Sequence, residues 1–178
     1  MEHQKKWKKA ILIVLPIFMV ISITACIPFR TALVFYDGKT DKMAAFLPME
    51  KGGNFQVVWK HSIHLTDVTE KYQLQDNGDI KQYEIVYEHF GIGMPSYALK
   101  GEKFTYKNGK YHISNLENVF PEINIRNGKT VSKHRLVWGK TGEHMVWFNQ
   151  YLQPGAWYKM KAKKLSWWTY LKGVKVHE

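Results

Sequence analysis

Along "NFQVVWKH" the side chains alternate. Phe55, Val57, Trp59 and His61 share one face of an extended backbone, and Gln56, Val58 and Lys60 share the other. "EKYQL" repeats the pattern, with Glu70, Tyr72 and Leu74 opposed by Lys71 and Gln73. Between them Ser62 to Thr69 is polar and turn-like, so the spacing predicts a hairpin. In that hairpin His61 continues the apolar face of one strand and Glu70 opens the apolar face of the next. The two side chains are expected to meet at the mouth, facing inward.

Short β-branched or aromatic runs of this kind recur from Arg30 to Glu178, cut by turn dipeptides. Asn-Gly stands at Asn77, Asn108 and Asn127, where a tight hairpin turn needs positive φ. About ten strands at this spacing predict an all-β fold, an antiparallel sandwich or barrel. No long amphipathic helix competes. The tail "SWWTYLKGVKV", from Ser166, reads either as a last edge strand or as an interfacial element.

The N-terminus breaks this pattern. Lys5, Lys6, Lys8 and Lys9 precede an uncharged apolar run from Ile11 to Pro28. Such a run is just long enough to span a bilayer as a helix, and its basic flank favours a cytoplasmic N-terminus. Residues 1–29 therefore read as a flank with a membrane anchor or signal, and residues 30–178 as one extracytoplasmic β domain. The expected location is the cell membrane, with a single pass. "ITAC" gives a second route, lipid attachment at Cys26. As Cys26 is the only cysteine, no internal disulfide is expected.

The chain carries a formal net charge of +11, much of it late in "WYKMKAKKLSWWTYLKGVKV". Trp157, Lys161, Lys163, Lys164, Trp167 and Trp168 are candidates for contact with an anionic surface. Membrane lipid is the expected partner; an exported location argues against nucleic acid.

The residue types around the predicted hairpin admit several chemistries. His61, Ser62 and Glu70 have the composition of a hydrolase set, but Ser62 and His61 point to opposite faces of a strand. His61 and His64 in "HSIH", with His89, Glu88 or Glu70, could bind zinc if the fold made them converge. A polar clasp that fixes a binding loop is the third reading, alongside a purely structural His–Glu pair. A second stretch, "FGIGMP", places Gly91, Gly93 and Pro95 after a strand. It suits a sharp corner with close backbone approach, and it lacks the third glycine and helix of a dinucleotide fingerprint.

Together, "WKHSIHLTDVTEKYQL" and "FGIGMP" resemble the signature of the domain-of-unknown-function 1850 family. The matching positions are Trp59, His61, Ser62, Val68, Glu70, Gly91, Gly93 and Pro95. Asp67 stands where proline is more usual, and Ile92 where alanine is common. The resemblance is read over roughly Leu33 to Lys163. It implies a small membrane-anchored domain without a cofactor or an established catalytic activity. It also implies association with tripartite ATP-independent periplasmic (TRAP) transporters of the TAXI type, through the permease or its solute-binding protein. The leading expectation is thus a non-enzymatic accessory module. The alternatives are an independent binder of a small ligand, metal or anionic wall or lipid surface, and a hydrolase.

Overall fold

The computed structural model describes the chain from Glu2 to Glu178, with side chains at Leu12 and from Val14 onward. Helix α1 (Glu2–Cys26) is followed, after Ile27 alone, by strand β1 (Pro28–Asp37). The remaining strands are β2 (Met43–Pro48), β3 (Asn54–Lys60), β4 (Asp67–Leu74), β5 (Ile80–Tyr87), β6 (Lys103–Lys107), β7 (Lys110–Phe120), β8 (Ile123–Arg126), β9 (Arg135–Trp138), β10 (His144–Trp147) and β11 (Trp157–Ser166). A 3-10 turn (Phe148–Gln150) precedes β11, and helix α2 (Trp167–Lys172) follows it. The strands form two antiparallel sheets, β2-β1-β11-β8 and β10-β9-β3-β4-β5-β7-β6. The all-β expectation holds, as a two-sheet sandwich.

The sheets are unequal, with four strands against seven. Where they overlap, both contribute to one core. Leu33, Phe35 and Met160 of the small sheet pack with Phe55, Val57, Tyr72 and Leu136 of the large one. Beyond the overlap, the inner face of the large sheet has its own apolar cluster, Val68, Ile85, Tyr87, Ile113 and Leu116. There the cover is a loop, through Met94, and aromatic side chains. A third cluster, Ala32, Val34, Phe46 and Leu165, lies on the outer face of the small sheet under Tyr170 of α2.

Turn chemistry explains which sequence expectations survive. Asn108 and Gly109 have φ of 53° and 77° and join β6 to β7 in a two-residue turn with Lys107 opposite Lys110, as Asn-Gly predicts. At Asn77 only Gly78 takes positive φ, and the loop from Gln75 to Asp79 is longer. At Asn127 the expected hairpin is absent. Its side chain is fully buried and donates to Asn149 Oδ1 and the Leu152 carbonyl, both at 2.9 Å, bracing two loops. The tail from Ser166 is not a regular edge strand: α2 comes first, and beyond it Lys175 makes a single parallel bridge with Phe46 of β2. Ser166 Oγ caps α2 by accepting the Thr169 N–H at 3.3 Å.

The expected membrane span, Ile11 to Pro28, falls partly on residues whose side chains lie outside the described set. Among the described residues no helix is long and apolar enough to cross a membrane. Most described side chains of α1 are nonetheless apolar and outward: Leu12, Leu15, Phe18 and Met19 are all more than half exposed, and Ser22 and Thr24 return their hydroxyls to the helix backbone.

His134, on the loop before β9, supplies a pH test of the fold. Its Nδ1 accepts the Gly128 N–H at 3.2 Å, its ring stacks on Phe148, and burial pushes its pKa down to about 4 from 6.5. A depressed histidine favours the folded state fully above its unfolded value and loses that contribution as pH falls towards the folded one. Stability should therefore drop between pH 6.5 and about 4. Allowing for the solvent that reaches the ring, the drop should be about 1–2 kcal/mol. In His134→Gln, which keeps an acceptor, urea titrations at several pH values should show a flatter profile.

Candidate functional site

The β3–β4 hairpin closes more tightly than its pattern predicts. Lys60 pairs with Asp67, Trp59 with Val68 and Val57 with Glu70. Strand β4 therefore begins at Asp67, and Glu70 is its fourth residue rather than its first. Asp67 can extend the ladder because its charge is matched: Arg135 of β9 lies 2.6 Å away and Lys60 3.6 Å. These cations hold the Asp67 carboxyl below its usual range against the opposing effect of burial.

His61 ends the first strand's inward row as expected and is only 5 % exposed. Its backbone N–H donates to Thr66 O and its carbonyl accepts from Leu65 N–H, both at 2.9 Å, pinching residues 61–66 into one turn. Leu65 pays for that turn with φ of 55°, rare for a branched side chain. The imidazole Nδ1 accepts the Ile63 N–H at 3.3 Å, with the His64 N–H at 3.5 Å. An accepting Nδ1 puts the ring proton on Nε2, which faces Ile92 O at 3.4 Å. His61 thus ties its own turn to the loop after β5.

That loop is the "FGIGMP" corner, and its glycines have separate reasons. A Cβ on Gly91 would stand 3.0 Å from His61 Nε2 and 3.2 Å from His64 Nε2. Gly91 is therefore the place where the backbone approaches two imidazoles. Gly93 has open space around it but φ of 87°. Gly91 O accepts the Met94 N–H at 2.9 Å, closing the corner, and Pro95 O accepts the Tyr87 hydroxyl. Phe90 anchors the start of the loop against Tyr111, ring to ring at 4.3 Å. Beneath the loop runs a groove of about 300 Å³ lined by Ile85, Pro95, Tyr97, Leu99, Ile113 and Leu116.

His61 and Glu70 do not meet. Glu70 shares the inward face but sits three residue pairs from the mouth, with the Trp59 side chain between them. Tyr72 donates to Glu70 Oε2 at 2.8 Å. Burial pushes the Glu70 carboxyl above its usual range, while the Tyr72 hydroxyl and Trp59 indole oppose the rise. Burial also raises the Tyr72 hydroxyl, which stays protonated as the donor. The expected His–Glu clasp is replaced by a row in which Trp59 separates the two polar groups.

What His61 does meet is other histidines. His61 and His64 rings stack at 5.2 Å, and His64 and His89 stack at 5.2 Å. His89 thus joins His64, as the zinc reading required, but the rings lie face to face. Among the described residues no group of three or more His, Cys, Asp or Glu side chains is placed to hold a metal ion. Ser62 is exposed, and its hydroxyl is not among the partners of His61. Trp59 as separator, His89 as stacking partner and the Asp67–Arg135 pair were not legible from the sequence, because each depends on which strand lies beside which.

The late cationic segment also divides. Trp157 opens β11 beside Arg126, whereas Lys163 and Lys164 lie in the last pairs of its ladder and Trp167 and Trp168 beyond its end, roughly 20–30 Å away at the rise of an extended strand. Lys161 is paired with Glu122 at 2.9 Å. Lys161, Lys163 and Lys164 border a cleft of about 460 Å³ with Lys51, Thr31 and the Gln75–Gly78 turn. Cys26 is exposed at the end of α1.

Fold and loops define a small two-sheet β module that carries two loops braced against each other at one end of the large sheet. The chain belongs to the family described as domain of unknown function DUF1850, which matches residues 55–145, just over half of the chain. The match is narrower than the stretch read from the sequence. It covers strands β3 to β9 and ends inside β10, leaving out β1, β2 and β11. No curated protein and no solved structure matches the chain.

Two outcomes test this geometry. Gly93→Ala should cost about 1 kcal/mol in thermal or urea denaturation, because alanine is strained at that φ. Gly91→Ala should do more than destabilise: it should displace the rings, seen as shifted imidazole resonances of His61 and His64. For Glu70, a raised folded pKa means that stability is greatest below the ordinary glutamate range and falls as pH rises through the folded value. The midpoint of Glu70→Gln should therefore gain on that of the native chain as pH rises, and a constant difference would rule out the burial effect.

Proposed function

We propose that the chain is a non-enzymatic, membrane-tethered module working outside the cytoplasm, whose loop pole contacts another membrane component. The partner proposed first is the permease of a TAXI-type TRAP transporter, or its solute-binding protein. The observation that carries a binding role is the exposure of Ile63, Leu65, Phe90, Ile92, Tyr97 and Leu99 on the two loops braced by His61. Exposed apolar side chains gathered on neighbouring loops mark contact surfaces. The motif's polar groups are engaged in shaping those loops, which favours recognition over catalysis. The tether rests on α1, whose described side chains are mostly apolar and outward. The loops lie at the end of the β3–β4 ladder away from the β4–β5 turn, which sits near Thr31 at the start of β1. That separation, about 20 Å at the strand rise, leaves the loops room to reach a partner.

A second reading has its own observation. The cleft beside Lys51, Lys161, Lys163 and Lys164 concentrates positive charge and suits a small anion or an acidic polymer.

Purification of the native chain from detergent-solubilised membranes should recover a TRAP permease or solute-binding protein. Ile92→Asp and Leu65→Asp should lose that partner while remaining folded, since both side chains are exposed. Unchanged recovery would remove the loops from the interface. Protease added to spheroplasts should digest the β domain, and full protection would refute the proposed side of the membrane.

A further inference from the structure

We propose that α2 and the start of β1 form a seat on the bilayer surface, with anionic phospholipid as the partner chemistry. The proposal rests on the reading of α1 as a membrane anchor and deepens it. With only Ile27 between α1 and β1, the β domain cannot swing far from the end of the helix. The junction is also bonded sideways. Phe29, the second residue of β1, stacks on Trp167 of α2 with ring centroids 3.9 Å apart and planes 3° apart, and it meets Tyr170 edge-on at 5.5 Å. The face beside the exit of α1 is therefore fixed by packing.

Its composition matches a headgroup layer. On one side α2 turns Tyr170 onto Phe46 and the outer core of the small sheet. The rest of α2 is left to solvent: Trp168 is 57 % and Leu171 76 % exposed, with Trp167 and, just past the helix, Val174 about half exposed. Around them stand Arg30, Lys172 and Lys175, which form no ion pair among the described residues. Lys172 Nζ lies 3.7 Å from the Trp168 ring centre, and Arg30 and Lys175 each lie 5.8 Å from that of Tyr170. No aspartate or glutamate occurs between Trp157 and His177. Tryptophan, tyrosine and lysine together, without acid, suit the boundary between acyl chains and anionic headgroups. The surface is continuous with the apolar helix that leaves from it, and its charge is complementary to such lipid. Both points favour a bilayer over a protein partner.

The test uses the full chain with Trp7→Phe, which removes the tryptophan of the N-terminal flank. It is reconstituted in phosphatidylcholine vesicles, with or without phosphatidylglycerol, whose lipids are brominated near the headgroup end of the acyl chains. Bromolipid should quench part of the tryptophan emission, more with phosphatidylglycerol and less at high salt. Adding Trp167→Phe and Trp168→Phe, which preserve ring packing on Phe29, should abolish about half or more of that quenching. Quenching unchanged by the two substitutions would overturn the seat, as would indifference to lipid charge. Shielding of Trp167 and Trp168 from an aqueous quencher in native membranes but not in vesicles would assign the face to a protein and also overturn it. Carbonate washing separates the two levels. A chain that washes off the vesicles refutes the anchor, whereas one that stays while Trp167 and Trp168 remain unquenched refutes only the seat.

Discussion

A four-stranded sheet cannot cover a seven-stranded one, and the arrangement of this protein follows from that mismatch. Over β9, β3 and the far half of β4, the large sheet buries its inner face against the small sheet. Towards β5, β7 and β6 that face still carries Ile85, Tyr87 and Ile113, and apolar surface of this size must be removed from water. The segment after β5 folds back to do so, and the sharp return needs the corner at Gly91, Gly93 and Pro95. His61 is the bolt across it, joining the corner at Ile92 O to the β3–β4 turn. The family's two motifs are therefore the two halves of one cover, separate in sequence and adjacent in space.

The cover does not bury everything it carries. Met94 packs on the sheet's apolar cluster and Phe90 leans one side on Phe104 and Tyr111, whereas Ile92 is exposed and Tyr97 and Leu99 are largely exposed at the rim of the groove. One loop thus completes the core with one side and offers a contact surface with the other. Its rigidity comes from aromatic packing and from His61, so a partner would find the loop shaped in advance and little ordering entropy would be lost on binding.

The opposite pole obeys a different constraint. A single residue links α1 to β1, and α2 packs beside that junction. The small sheet, which lies mostly outside the family match, carries the helix, the exposed tryptophans and the unpaired lysines, while the large sheet carries the braced loops. In the proposed arrangement, attachment falls to the small sheet and recognition to the large one.

Alternation alone determined that residues 55–60 and 70–74 are strands with Phe55, Val57, Tyr72 and Leu74 inward, because a period of two can bury only one face. Asn108-Gly109 likewise set its own turn, since the positive φ it favours is a local property. Asn127-Gly128 looks the same in sequence but became a buried brace, because tertiary packing supplied Asn149 and Leu152 as acceptors. The charge on Asp67 would have delayed the start of β4 had Arg135 not lain alongside on β9, and the added ladder pairs moved Glu70 away from His61. His64 and His89 are 25 residues apart, and nothing local says that they stack. Residue types and their periodicity chose the strands and the faces. Which histidine met which loop was decided by the order of strands in the sheet and by the need to cover its uncovered end.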